Sequence, residues 1–296
     1  MNPCQRIPIR LAGQPGVPYS SEPMTFGVPF AEGTFPSGGA RRAPSCIGPV
    51  EPGCKGLAFP DAPRLRAVTA DGRELPLQTS VMTTWKPDLR HVKWLLADLQ
   101  ADPVRDGETV WLEWGTGVSK ESSDSTQSTE SSPLIPSIST TSSNGLLTLD
   151  TGALRLTLRT DFPRWKKRDW DSPVAGCQVR AADGSWREAL HGPGLLLYMQ
   201  DQHGNLYTSL GACPAPKVVI EEQGPLRVCV LITGYLMSEQ GQRFCPYRLR
   251  IHLYAGKPDL RIFHTFIFDQ DPTRIQLKAI GMKVFAKTGE GAVGAV

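Results

Sequence analysis

The sequence predicts an all-β protein in two units, and three observations carry this. Apolar runs are short and alternate with polar residues at a period of two, as in Leu154-Arg-Leu-Thr-Leu-Arg159 and Tyr247-Arg-Leu-Arg-Ile-His-Leu-Tyr254. No i, i+3, i+4, i+7 pattern holds for three turns anywhere in the chain. A Ser/Thr-rich stretch over residues 119–144 has too little apolar area to offset its ordering entropy, and reads as a disordered linker. A length of 296 residues is comfortable for two domains.

The first unit is expected over residues 1–118, with a long Pro/Gly surface loop near 34–60. Its strands are Arg64 to Ala70 and Glu74 to Gln78, joined by an Asp71-Gly72 turn, then Val92 to Leu99 and Thr109 to Trp114. Trp94 lies in an apolar run and is expected in the core; Trp85, beside Lys86 and Pro87, is left open. The second unit, residues 145–296, begins with Leu146 to Leu149, an Asp150-Thr-Gly turn and Leu154 to Arg159. Lys217 to Glu221, Arg227 to Thr233, Tyr247 to Tyr254 and Arg261 to Phe268 follow, and no internal repeat is evident.

Composition narrows the function. A net charge of +3 without a dense Lys/Arg block argues against a nucleic-acid partner. No run reaches the roughly 18 apolar residues of a membrane span, so no membrane partner is expected. The start, Met1-Asn-Pro-Cys-Gln-Arg-Ile-Pro, lacks the continuous apolar core of a secretory signal; this predicts a cytoplasmic protein, or a secreted one if the N-terminus is incomplete. The seven cysteines include no C-x-x-C pair, which gives little support to zinc. Cys46 and Cys54 bracket a Pro/Gly loop and are either a disulfide, in an oxidising compartment, or free loop thiols. Cys229, between Val228 and Val230, reads as a packed thiol. Gly-x-Ser-x-Gly, Walker and dinucleotide fingerprints are absent, and no cofactor or metal is expected.

The strongest element is a hairpin of Tyr247 to Tyr254 with Arg261 to Phe268, connected by Ala255 to Leu260. Pairing Leu253 with Ile262, Ile251 with His264, Leu249 with Phe266 and Tyr247 with Phe268 buries one nearly continuous apolar face; a one-residue slip would mix Arg248 and Arg250 into it. His264 then reads as a hydrogen-bonded core histidine. Arg248, Arg250, His252, Tyr254 and Arg261 share the opposite face. That set is either a solvated strand face or an anion cradle, since guanidinium forks match carboxylates and cationic neighbours hold an imidazole neutral, as a general base requires. A second candidate is Asp161-Phe-Pro-Arg-Trp-Lys-Lys-Arg-Asp-Trp170, where Arg164, Trp165 and Trp170 offer either a carbohydrate contact, with aromatic faces for sugar rings and cations for uronates, or a basic loop capping a sheet edge.

Several blocks together resemble the exo-rhamnogalacturonan lyase/YetA-like family. Thr25-Phe-Gly-Val-Pro-Phe-Ala-Glu-Gly, Leu65 to Thr79 and His91 to Gln100 are similar to its first domain, described as a RIFT-type β-barrel. Glu221-Glu-Gln-Gly-Pro-Leu-Arg-Val, Pro246 to Gly256 and Leu260 to Pro272 are similar to its β-sandwich domain. The resemblance implies a RIFT-type barrel and a sandwich joined by the Ser/Thr linker, an acidic pectin-type oligosaccharide or polysaccharide as partner, and β-elimination at a uronate as the family reaction. That reaction needs carboxylate neutralisation, a base for the C5 proton and an acid for the leaving oxygen. Family members also carry a helical α/α toroid, which no segment here resembles, so the chain is expected to be inactive alone. The alternative is a non-enzymatic carbohydrate-binding or structural β-module. No residue is matched to a family catalytic residue.

Overall fold

Period-two alternation becomes antiparallel sheet throughout. The computed structural model describes residues 5–12, 21–35, 65–86, 91–101, 109–115, 137–162, 172–211 and 214–287; among them there are strands and turns and no helix. The chain divides into two compact units, Met1–Leu134 and Ile135–Val296.

In the first unit the strands are β1 (Gln5–Arg10), β2 (Glu22–Pro29), β3 (Arg66–Val68), β4 (Glu74–Leu75), β5 (Leu77–Thr84), β6 (Val92–Ala101) and β7 (Thr109–Trp114). They form one sheet ordered β1-β7-β3-β4 and another ordered β2-β6-β5. Val28, Leu95, Ala97, Leu99, Val110 and Leu112 fill the core, and Phe30 stacks on Phe35 with Trp114 edge-on to both. The predicted Asp71-Gly72 turn is present: Gly72 adopts a φ of +89°, and Thr69 and Arg73 close the loop. Trp94 corrects the expectation of a core residue, for it is 43% exposed. The pairing of β5 with β6 shifts at Val81/Thr83 and Thr83/Thr84, so Val92 and Leu95 are both buried and Trp94 between them turns outward over Gly27. Trp85 donates its indole N–H to the Phe30 carbonyl at 2.8 Å.

The second unit contains β8 (Ser139–Ser143), β9 (Leu146–Asp150), β10 (Leu154–Arg159), β11 (Val174–Arg180), β12 (Trp186–Glu188), β13 (Leu190–Asp201), β14 (Leu206–Thr208), β15 (Lys217–Gln223), β16 (Arg227–Ser238), β17 (Arg243–Tyr254), β18 (Leu260–Phe266) and β19 (Leu277–Ala286). A five-stranded meander, β12-β11-β10-β9-β8, faces a seven-stranded sheet, β18-β17-β16-β14-β13-β19, whose β15 also pairs with β16. Leu147, Leu149, Leu154, Leu156 and Leu158 of the meander share one core with Leu197, Met199, Val228, Val230, Ile232, Leu249, Ile251 and Leu253, which makes the unit a β-sandwich. β8 lies within the range expected to be linker; Asn144 (φ +51°) and Gly145 (φ +73°) form the two-residue turn that pairs it with β9. The rest of that range up to residue 136 lies outside the described residues.

The β17–β18 hairpin keeps the predicted faces but not the predicted offset. Tyr247 pairs with Phe266, Leu249 with His264, Ile251 with Ile262 and Leu253 with Leu260. The slip is two residues, which preserves the side each residue faces. Its cause is a shorter connection: Leu260 enters the strand, leaving Ala255 to Asp259 to turn, with Gly256 at φ +70°. His264 faces inward as predicted, yet its Nε2 is buried without a hydrogen-bond partner, and burial pushes its pKa down.

Candidate functional site: the outward face of the seven-stranded sheet

Parity assigns the face. Val228, Val230 and Ile232 point into the core, so Arg227, Cys229, Leu231 and Thr233 of β16 point outward, opposite Tyr254, His252, Arg250 and Arg248 of β17. β18 adds Arg261, Phe263 and Thr265, paired with His252, Arg250 and Arg248. β15 adds Lys217 and, at a register shift between Ile220 and Glu222, two successive carboxylates, Glu221 and Glu222. A bulge is what lets neighbouring residues reach the same side.

The arginines divide into two kinds. Arg250 grips Glu221 with both arms, Nε to Oε2 at 2.5 Å and Nη2 to Oε1 at 2.8 Å. This pairing holds the Glu221 carboxyl below its ordinary range and the guanidinium above its own. Arg227 is 2% exposed, the rarest environment for a cation; one arm pairs with Glu222 and the other lies 3.0 Å from His252 Nδ1. Arg248 is exposed, with no hydrogen bond or ion pair among the described residues. Arg261 is exposed, with its guanidinium 5.2 Å from the Tyr254 ring centre.

Phe263 is the residue that sequence reasoning missed. It is 56% exposed, on the face that carries Arg248 and Arg261, with the His252 ring edge-on at 5.2 Å. The alternation Arg261-Ile-Phe263 carried the signal, since it places Phe263 on the same side as Arg261. Both nitrogens of His252 are directed into the protein, Nδ1 at Arg227 and Nε2 at Cys229 Sγ, 3.7 Å away. This geometry turns neither nitrogen toward a surface ligand as a base. Cys229 is the packed thiol expected, 1% exposed; burial first, then Glu221, pushes its pKa up to about 12.

Arg164, Trp165 and Trp170 lie outside the described residues, as do Cys46 and Cys54. Among the described residues no group of three or more His, Cys, Asp or Glu is arranged to hold a metal ion, and no helix is long and apolar enough to cross a membrane.

Residues 196–292 match the family described as PcRGLX-like protein central beta sandwich domain. The match runs from within β13 through β19 and so takes in the seven-stranded sheet with its outward face. It covers about a third of the chain. No curated protein matches the chain.

Proposed function

We propose that the chain supplies the RIFT-type barrel and sandwich domains of a rhamnogalacturonan-lyase-like protein, and that the outward face of β17 and β18 binds an acidic, pectin-type oligosaccharide. The observation that carries this reading is the exposed Phe263 on one face with exposed Arg248 and Arg261. An aromatic face accepts the C–H surface of a sugar ring, and guanidinium groups accept carboxylates in two-point geometry. The local charge supports it: Lys217, Arg227, Arg248, Arg250 and Arg261 stand against Glu221 and Glu222 on the outward side of β15 to β18. The role is binding rather than elimination, because Arg250 is already committed to Glu221 and both His252 nitrogens face protein atoms.

The test is calorimetric titration with a rhamnogalacturonan oligosaccharide, with a neutral galactan oligosaccharide as control. The acidic ligand is expected to bind more weakly as salt rises, and to lose affinity in Phe263→Ala and in the double variant Arg248→Gln/Arg261→Gln. Equal affinity for the two oligosaccharides, or no loss in either variant, overturns the reading.

A further inference from the structure

A fully buried arginine on the outward side of a sheet is costly unless its arms are occupied and the arrangement does something. Arg227 meets the first condition through Glu222 and His252. A guanidinium has donors only, so His252 Nδ1, 3.0 Å from Nη1, must accept. The ring is therefore neutral and carries its proton on Nε2, which faces the Cys229 sulfur. Held in that state, the ring stands edge-on to Phe263 at 5.2 Å. We infer that Arg227 is a positioning residue: it locks His252 as a neutral wall behind Phe263, so that the face presents the same charge from mildly acidic to mildly alkaline pH. This rests on the binding role proposed above for Phe263.

The groups around His252 agree with this. β15 contributes Glu221 and Glu222, whose carboxylates are engaged by Arg250 and Arg227. β16 contributes Arg227 and Cys229, β17 contributes Arg250 and Tyr254, and β18 contributes Arg261 and Phe263. The guanidinium groups of Arg227, Arg250 and Arg261 oppose a fourth positive charge, while Glu221 and Glu222, each paired with a guanidinium, favour it less than free carboxylates would.

Long-range nitrogen–proton NMR on the wild-type protein, with the His252 signal assigned from His252→Gln, reads the ring directly. The expected result is an Nε2–H imidazole that does not titrate between about pH 5 and 8. An Nδ1–H ring, or a midpoint near the ordinary value of about 6.5, overturns the inference. In Arg227→Gln the same signal is expected to titrate. Affinity for a rhamnogalacturonan oligosaccharide, flat with pH in the wild type, is then expected to rise roughly twofold to fivefold toward pH 5.5, the gain of one exposed ion pair. A His252 that stays neutral in that variant also overturns the inference. The wild-type spectrum needs no variant, so an Arg227→Gln chain that does not fold leaves the inference open to refutation. A neutral, non-titrating His252 in a protein that binds no acidic saccharide overturns the binding role and leaves the Arg227 grip standing.

Discussion

Arg250 on β17 and Glu221 on β15 meet fork to fork across the strand between them, with bonds of 2.5 and 2.8 Å. Two-point pairing of this kind fixes both side chains and ties three strands together on their outward side. Arg250 is thus a structural cation, and Arg248, two residues earlier and exposed, is a solvent-facing one. The first prediction separates them. Arg250→Gln is expected to lower stability by about 1.5–3 kcal/mol, because a partly buried carboxylate loses its charged partner. Arg248→Gln is expected to leave stability within about 0.5 kcal/mol and to lower affinity for an acidic oligosaccharide. Urea denaturation of the two variants, with the midpoint and slope fitted separately, gives the comparison; equal midpoints would remove the distinction.

The same pair sets an acid limit. The Glu221 carboxyl is held below its ordinary 4.5, chiefly by the hydrogen bonds from Arg250. As pH falls the unfolded chain takes up this proton before the folded chain does. The stabilisation is therefore complete above the ordinary carboxylate range, and is lost as pH drops through the lowered folded value. Stability measured from pH 6 down to 3 should fall less steeply in Glu221→Gln than in the wild type below about pH 4.5. Parallel curves over that range would show that Glu221 does not contribute.

What was legible in the sequence and what was not divide along the same lines. Alternation gave the faces of β17 and β18, because the side each residue takes depends on parity alone. It could not give the offset, which depends on how many residues turn between Tyr254 and Leu260. Alternation also placed Arg248, Arg250 and Arg261 on one face, but it could not show that Arg250 is paired with Glu221. Glu221 lies 29 positions from Arg250 and reaches it only because β15 bulges, and neither fact is local. β13 escaped notice because His191-Gly-Pro-Gly194 interrupts its alternation, where the structure has a register shift between Leu190 and Leu195. The Asn144-Gly145 turn was present in the sequence and was masked by the Ser/Thr composition around it. Trp94 was misplaced by the shifts in the pairing of β5 with β6, which break the parity on which the prediction relied.

Two glycines test packing inside and outside the core. Gly234 lies opposite Tyr247 and Gly281 opposite Tyr198, and a Cβ added at either would come within 2.7 Å of the tyrosine. Tyr247 is buried among Leu197, Ile232 and Leu249 with only a small cavity beside it, whereas Tyr198 is only partly buried and has solvent to move into. Gly234→Ala is therefore expected to cost about 1–3 kcal/mol, the usual range for overpacking, and Gly281→Ala clearly less. Thermal unfolding of the two variants reads the order directly, and a reversed order would show that the Tyr247 ring shifts into that cavity at little cost.

The thiols report on the outward face from within. Cys229 combines 1% exposure with a pKa pushed up to about 12, and Cys177 is likewise buried and pushed up to about 11. At pH 8 a thiol of pKa about 12 is thiolate in roughly one molecule in ten thousand, and the thiolate is the species that alkylates. Cys177 belongs to the sandwich core, whereas Cys229 lies on the outward side of the sheet with its sulfur against Glu221 and His252. Iodoacetamide labelling followed by peptide mass mapping should therefore find both unmodified in the native protein and both modified in denaturant. In Arg227→Gln the cover over Cys229 loosens while the core over Cys177 does not, so labelling is expected to rise at Cys229 alone. Labelling that rises at both sites together would mean that the variant opens the whole sandwich, and that Arg227 holds the fold rather than one patch of its surface.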